Sequence, residues 1–320
     1  MVFVLNKDYK SAIVTGPTGE VGLALVDELL DNGYKVFAVV RPNSKRAARL
    51  PHNEKLVLIE NELDRLTELP EKITTECDLF YHLAWDFSRD HDNVEKQYAN
   101  IGYTLDAVKA ACKLGCKVFI GAGSQAEYGV VDGSISPDTP TNPTIAYGMA
   151  KLCAGQLSRK LASQCGIKHI WPRIISIYGP GDAESTLIIS AIRKLLAGEH
   201  ISFTKGEQLW DFLYSKDCAR AMRLIGEKGH DQEVYCIGSG EKRPLSEFIE
   251  IMRDQINKDA SLGFGELPYR ENQVMKLDID ISNLVEDTGF KPVYDFTTGI
   301  VETIEWCKNN EKIFKQEESR

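Results

Sequence analysis

No stretch of this 320-residue chain approaches the run of roughly 18 apolar residues that a membrane helix needs. The opening apolar residues are too few for a signal-peptide core and are interrupted by Lys7, Asp8 and Lys10, so the chain reads as cytoplasmic, with no membrane partner. Positive charge is scarce as well. With 38 Lys and Arg against 47 Asp and Glu, the net charge is -9, which argues against a broad basic face for nucleic acid but leaves room for a local phosphate site. The eight cysteines contain no Cys-x-x-Cys pair and no histidine stands at metal-ligand spacing, so they read as reduced thiols and no metal is expected. Cys112 and Cys116, four apart near a helix end, have no second ligand pair to accompany them.

What is present is enough apolar material, 43% of residues, for one large core or two modest ones. The first half alternates β-branched runs with longer helical patterns, which predicts an α/β fold with a Rossmann-type, doubly wound parallel sheet. Strands are expected at Ser11 to Thr15, Lys35 to Val40, Leu56 to Ile59, Leu79 to Leu83, Lys117 to Gly121 and His169 to Ile177. Helices are expected at Glu20 to Asn32, Asn93 to Leu114 and Ala146 to Gln164, each followed by a glycine stop. After Tyr178-Gly179-Pro180-Gly181 the rhythm changes to a helix near Leu187 to Ala197, a strand near Trp210 to Tyr214, a helix to about Gly226, a strand at Val234 to Ile237 and a helix at Leu245 to Ile256. The expected organisation is a dinucleotide-binding domain over 1–180 and a smaller, interleaved substrate lobe over 181–320, with a fraying tail from Lys308.

The first strand runs directly into Gly16-Pro17-Thr18-Gly19-Glu20-Val21-Gly22 and then a helix. That is where a βα turn lets a diphosphate approach backbone N–H groups, so Gly16, Thr18, Gly19, Glu20, Val21 and Gly22 are assigned to a cofactor. The second strand ends in Arg41, where an NAD enzyme would offer a carboxylate to the adenine-ribose hydroxyls. With Ser44, Lys45 and Arg46 following, the segment suits a 2′-phosphate: NADP(H) is favoured, NAD(H) stays open, and a solvated basic loop is the bland alternative. Tyr147 and Lys151, four apart at the start of a helix, project from one face. Ser124 follows the strand ending at Gly121, at the carboxyl edge where open α/β sheets place ligands; its other reading is a turn or helix-capping serine.

In order, the glycine loop, His82-Leu83-Ala84, Ser124 with Tyr147 and Lys151, Tyr178-Gly179-Pro180-Gly181 and Trp210-Asp211-Phe212-Leu213-Tyr214 resemble the extended short-chain dehydrogenases/reductases, specifically their nucleotide-sugar epimerase/dehydratase branch, across nearly the whole length. The resemblance implies that Tyr147 is the acid/base, that Lys151 lowers its pKa and holds the nicotinamide ribose, and that Ser124 bonds the reacting oxygen. It also implies that Glu62, Leu83 and Ala84 line the cofactor, that Asn100 steadies the helix behind the site, and that the enzyme is a homodimer packed through the helices 93–114 and 146–164. A phenol of ordinary pKa near 10 is a poor base at about pH 7, and a neighbouring ammonium plus the positive nicotinamide ring would favour its phenolate.

Sugar 4,6-dehydratases of this branch carry an Asp-Glu acid pair after the catalytic hydroxyl residue; this chain has Gln125-Ala126, which cannot shuttle that proton. Glu127, two places on, matches poorly. What remains is NADPH-dependent reduction of a 4-keto nucleotide sugar, or 4-epimerisation on one tightly held NAD. An epimerase recycles its cofactor and gains nothing from NADP, so Arg41 tilts the balance to the reductase. Gln125, Ser176, Trp210 and Arg270 are assigned to the nucleotide-sugar substrate, although Ser176 and Trp210 depart from the Asn and Arg common in the family. Trp85 opens a loop, 85–92, that suits sugar recognition or is merely solvated. His82 belongs to a buried strand and reads as structural. A rival from another class is a Rossmann protein that senses NADP(H) without turnover; retention of Ser124, Tyr147 and Lys151 together speaks against it.

Overall fold

The structure is a computed structural model that describes residues 9–86, 91–131, 133–270 and 273–310. Its centre is a parallel sheet of β1 (Ser11–Thr15), β2 (Lys35–Val40), β3 (Leu56–Glu60), β4 (Leu79–His82), β5 (Val118–Gly121), β6 (Gly123–Ser124), β7 (Lys168–Ile174) and β8 (Val234–Ile237). The order is β8-β7-β5-β4-β1-β2-β3, with the two-residue β6 paired to β7 beyond the end of β5. Strands covered on both faces need apolar side chains at every position, and the inner ones have them: Ala12, Ile13 and Val14 of β1 and Leu79, Phe80 and Tyr81 of β4 are wholly buried.

Helices α1 (Glu20–Asp31), α2 (Val94–Lys113), α3 (Ala146–Cys165) and α5 (Ser215–Lys228) flank the sheet, and α4 (Leu187–Ala197), α6 (Leu245–Ile256) and α7 (Phe296–Asn309) pack on one another beside it. One face packs Leu25 and Leu29 of α1 with Met222 and Ile225 of α5; the other packs Ala107, Val108 and Ala111 of α2 against Phe80 and Phe119. A third core joins Ile189 and Ile192 of α4, Phe248 and Met252 of α6, and Phe296 and Ile300 of α7. Both α5 and β8 come from beyond residue 181 and yet belong to the layers of the main sheet.

Two differences from the sequence reading have simple causes. The strand expected at Trp210 to Tyr214 is two short pieces, Leu209–Trp210 paired with Arg243–Pro244 and Leu213–Tyr214 paired with Ile177–Tyr178. Between them Asp211 turns inward and accepts from the N–H groups of Ser239 and Gly240 at 2.8 and 2.9 Å, which breaks the ladder. Of the tail expected to fray from Lys308, the first two residues are still helical, because α7 is capped by Asp295, which accepts from Thr298 N–H at 2.7 Å, and buries Ile300, Thr303, Ile304 and Cys307; residues 311–320 lie outside the described residues.

Candidate active site

The turn after β1 has the geometry of an anion cradle. Gly16 takes a left-handed φ of +71°, and a Cβ on it would sit 2.8 Å from the backbone nitrogen of Ala84. A Cβ on Gly22 would run into the Gly16 carbonyl oxygen and lie 2.8 Å from Pro17 Cα, so α1 can reach this turn only with glycine there. No side chain caps α1, whose N-cap is Gly19, and the first-turn N–H groups are left to a ligand. Beside them a groove of about 530 Å³ is lined by Gly16, Thr18, Gly19, Arg41, Ser44, Arg46, Glu62, Leu83, Ala84, Trp85 and Asp86. These residues, drawn from the carboxyl ends of β1, β2, β3 and β4, make a groove that fits a dinucleotide.

Glu20 is an acidic exception in this cradle. Its Oε1 is buried with no hydrogen-bond partner among the described residues, and burial, reinforced by the nearby Asp182, pushes its carboxyl well above the ordinary range. It therefore holds its proton more readily than a surface glutamate and adds less repulsion against a diphosphate than its type suggests.

Ser124, Tyr147 and Lys151 come together at the carboxyl edge of β5 and β6, beside Trp85. Ser124 stands close enough to the Tyr147 phenol to lower its pKa. The Trp85 indole lies edge-on to the Tyr147 ring at 5.9 Å, and its face covers the Lys151 ammonium, 3.8 Å from the ring centroid. Lys151 Nζ donates to the Ala122 carbonyl at 2.7 Å. Ahead of α3, Tyr147 N–H donates to His91 O at 2.9 Å and Ala146 N–H to Asp92 Oδ1 at 2.9 Å. The segment that opens with Trp85 thus touches the start of α3 through His91 and Asp92; Phe87, Ser88, Arg89 and Asp90 lie outside the described residues.

Burial dominates the acid–base balance of the protein groups at this site. Burial pushes the Tyr147 phenol up to about 12, against a lowering from Ser124 and with a further rise from the Glu127 charge. Lys151 is brought down to about 7 by burial, with Glu127 pulling it back up. The ammonium sits 5.8 Å from the Tyr147 ring and donates to Ala122, so among the protein groups alone desolvation outweighs its pull on the phenol. In this state Tyr147 is a proton donor. His82 is structural: it is buried, its Nδ1 pairs with Thr15 Oγ1 at 2.9 Å, and burial, then Lys151, brings its imidazole down to about 3.

Two residues expected at the substrate meet each other. Trp210 Nε1 donates to Ser176 Oγ at 2.9 Å, so the residues expected at the substrate pyrophosphate form a pair of their own. Gln125 carries a buried Oε1 with no hydrogen-bond partner among the described residues, and Arg270 is exposed, with Gln273 N–H on its carbonyl at 3.1 Å. Asn100 is buried and locks the Trp85 loop, accepting from Asp86 N–H at 2.6 Å and donating to Asp86 O at 3.2 Å.

Sequence reasoning missed Gln97. It is buried on α2 one turn before Asn100; its Oε1 accepts from Trp85 Nε1 at 2.9 Å, and its buried Nε2 has no partner among the described residues. The available signal was a second amide on the same buried helix face as Asn100.

Residues 12–238 match the model of the NAD dependent epimerase/dehydratase family. The chain belongs to that family. A putative UDP-glucose 4-epimerase from Methanocaldococcus jannaschii is 26% identical over 314 residues, covering 94% of this chain and 99% of the relative. A dTDP-4-dehydro-6-deoxyglucose reductase from Escherichia coli is 26% identical over 306 residues, covering 90% and 94%. Among solved structures, a UDP-N-acetylglucosamine 4-epimerase from Methanobrevibacter ruminantium in complex with UDP-N-acetylmuramic acid superposes with a TM-score of 0.84 at 25% identity, over 95% of this chain and 99% of that one. This member is an enzyme of the extended short-chain dehydrogenase/reductase type, in a family of NAD-dependent nucleotide-sugar epimerases, dehydratases and reductases. Among its described residues, no helix is long and apolar enough to cross a membrane.

Proposed function

We propose that this family member reduces the 4-keto group of a nucleotide-linked hexose or deoxyhexose at the expense of NADPH. The observation that carries the reading is the adenosine end of the groove, where Arg41, Ser44 and Arg46 line the wall at the end of β2. A dinucleotide bound in the groove supplies hydride to the keto carbon. The chain's own residues do the rest. Ser124 hydrogen-bonds the carbonyl oxygen, and Tyr147, a phenol raised to about 12, delivers its proton there as charge develops. Lys151 recharges the site from the protein side, its ammonium shielded by Trp85 and tied to Ala122. Gln125 and the Ser176/Trp210 pair are assigned to the sugar and its diphosphate, with Arg270 as a further phosphate contact.

The second reading, 4-epimerisation on tightly held NAD, is favoured by the relatives whose names carry that activity, and the absence of an Asp-Glu pair at Gln125-Ala126 suits it equally. Both readings assign the exposed apolar faces of α2 and α3 to a homodimer. Calorimetric titration of NADPH, NADP, NADH and NAD into protein first checked for copurified dinucleotide separates them. Empty protein with at least about tenfold preference for NADPH, a difference of about 1.4 kcal/mol, supports the reductase; NAD retained through purification makes the chain an epimerase.

A further inference from the structure

Glu127 stands three residues after Ser124 and is turned away from the groove, with no accessible surface. Its carboxylate takes three donors: Oε1 accepts from Ser124 N–H at 2.8 Å and from the Trp171 indole N–H at 3.0 Å, and Oε2 accepts from Arg173 Nε at 2.8 Å. Ser124 Oγ in turn accepts from Ala126 N–H at 3.2 Å, closing a reciprocal capping box. The residue before Ser124 has to be glycine, because a Cβ on Gly123 would lie 2.5 Å from Trp171 Nε1 and 2.7 Å from Glu127 Oε1. On the other side of this short segment Lys151 donates to Ala122 O at 2.7 Å. Residues 122–124 are thus clamped between the catalytic lysine and a buried glutamate.

A buried ion pair is a poor device for stability, since its desolvation offsets its attraction and an apolar pair of similar volume serves a fold as well or better. The Glu127/Arg173 pair, 0% and 5% exposed, therefore calls for another reason. We infer that Glu127, anchored by Arg173, is a positioning residue of the active centre: it fixes the backbone that carries Ser124 and sets a negative charge behind Tyr147 and Lys151. This rests on the reading of Ser124, Tyr147 and Lys151 as the reacting group. The charge reaches both partners, raising Tyr147 and opposing the burial that lowers Lys151. The groups facing this cluster are Arg173 on β7, Arg159 on α3, Cys236 on β8, Tyr128, and His82 on β4 on the far side of Lys151.

Two variants test it. Glu127→Gln keeps the shape and removes the charge; Arg173 keeps the Tyr128 ring, 4.4 Å away. Glu127→Leu with Arg173→Leu replaces the pair by apolar volume and guards against misfolding from an orphaned charge. Turnover is measured with NADPH and 4-keto nucleotide sugars, and with UDP-hexoses for epimerisation. The Lys151 amine is titrated by NMR of lysine-labelled, ligand-free protein, the Lys151→Met spectrum giving the assignment. Expected are a double variant that melts like wild type with kcat down at least about tenfold and KM little changed, and a Lys151 titration moved to lower pH by about 0.5 in Glu127→Gln. A double variant with wild-type kcat, or a Lys151 titration unmoved in Glu127→Gln, overturns the inference. Should wild type turn over none of these substrates, the proposed function fails on its own, and the Lys151 titration still decides the role of Glu127.

Discussion

Lys151 keeps an ammonium where burial disfavours one. Its pKa falls from the ordinary 10.5 to about 7, so the folded chain bears the cost of a buried charge below about pH 7. That cost is relieved as pH rises from there towards 10.5, the window in which the unfolded chain still holds the proton and the folded chain does not, and stability attributable to this group climbs across it. Methionine has no charge to bury. Compared with wild type, Lys151→Met should therefore gain melting temperature as pH is lowered from about 10 to about 6, by roughly 5 °C, while turnover is lost. Paired thermal melts across that range check it; a constant offset would mean that the lysine is not desolvated.

The unit of strand, turn and helix from β1 to α1 carries the cofactor argument, and it tolerates little change. A methyl on Gly22 meets the Gly16 carbonyl and Pro17 at once, so Gly22→Ala must open the turn and displace the N–H groups aimed at the diphosphate. Dinucleotide affinity should fall at least about 100-fold, close to 2.7 kcal/mol, in a protein that still folds. Retained affinity would show that the diphosphate is held elsewhere. Elements of this kind were legible from sequence because the signals agree: in β1 and β2 every residue after the first is buried, as a strand covered on both faces requires, and α1 buries Leu25, Val26, Leu29 and Leu30 at helical spacing. The two-residue pieces at Leu209–Trp210 and Leu213–Tyr214 were not, since their ends are set by the buried Asp211 and not by any local pattern. The site divides the same way. Motif order placed Ser124, Tyr147 and Lys151 together, whereas Gln97 and Glu127 act through contacts with Trp85, Trp171 and Arg173 that only the folded chain creates.

At the scale of the whole molecule, α2 and α3 lie side by side and each exposes apolar residues. Val94 and Tyr98, one turn apart, are 70% and 73% exposed, and Met149 and Leu157, two turns apart on α3, are 51% and 47% exposed. A lone exposed leucine needs no explanation, but a shared apolar stripe on two adjacent helices does. A two-fold contact through this face would place each Tyr98 against its symmetry mate's helices and bring the starts of both catalytic helices near the interface. Sedimentation of wild type at micromolar concentration should show a dimer, and Tyr98→Glu, which sets a charge in the middle of the stripe, should shift it to monomer. Because Trp85 is held by Gln97 on α2 and packs on Tyr147 of α3, the monomeric variant should also bind dinucleotide more weakly, by about threefold to tenfold. A wild-type monomer, or a Tyr98→Glu dimer as tight as wild type, would leave the stripe without this role, and unchanged cofactor affinity in a true monomer would uncouple the interface from the site.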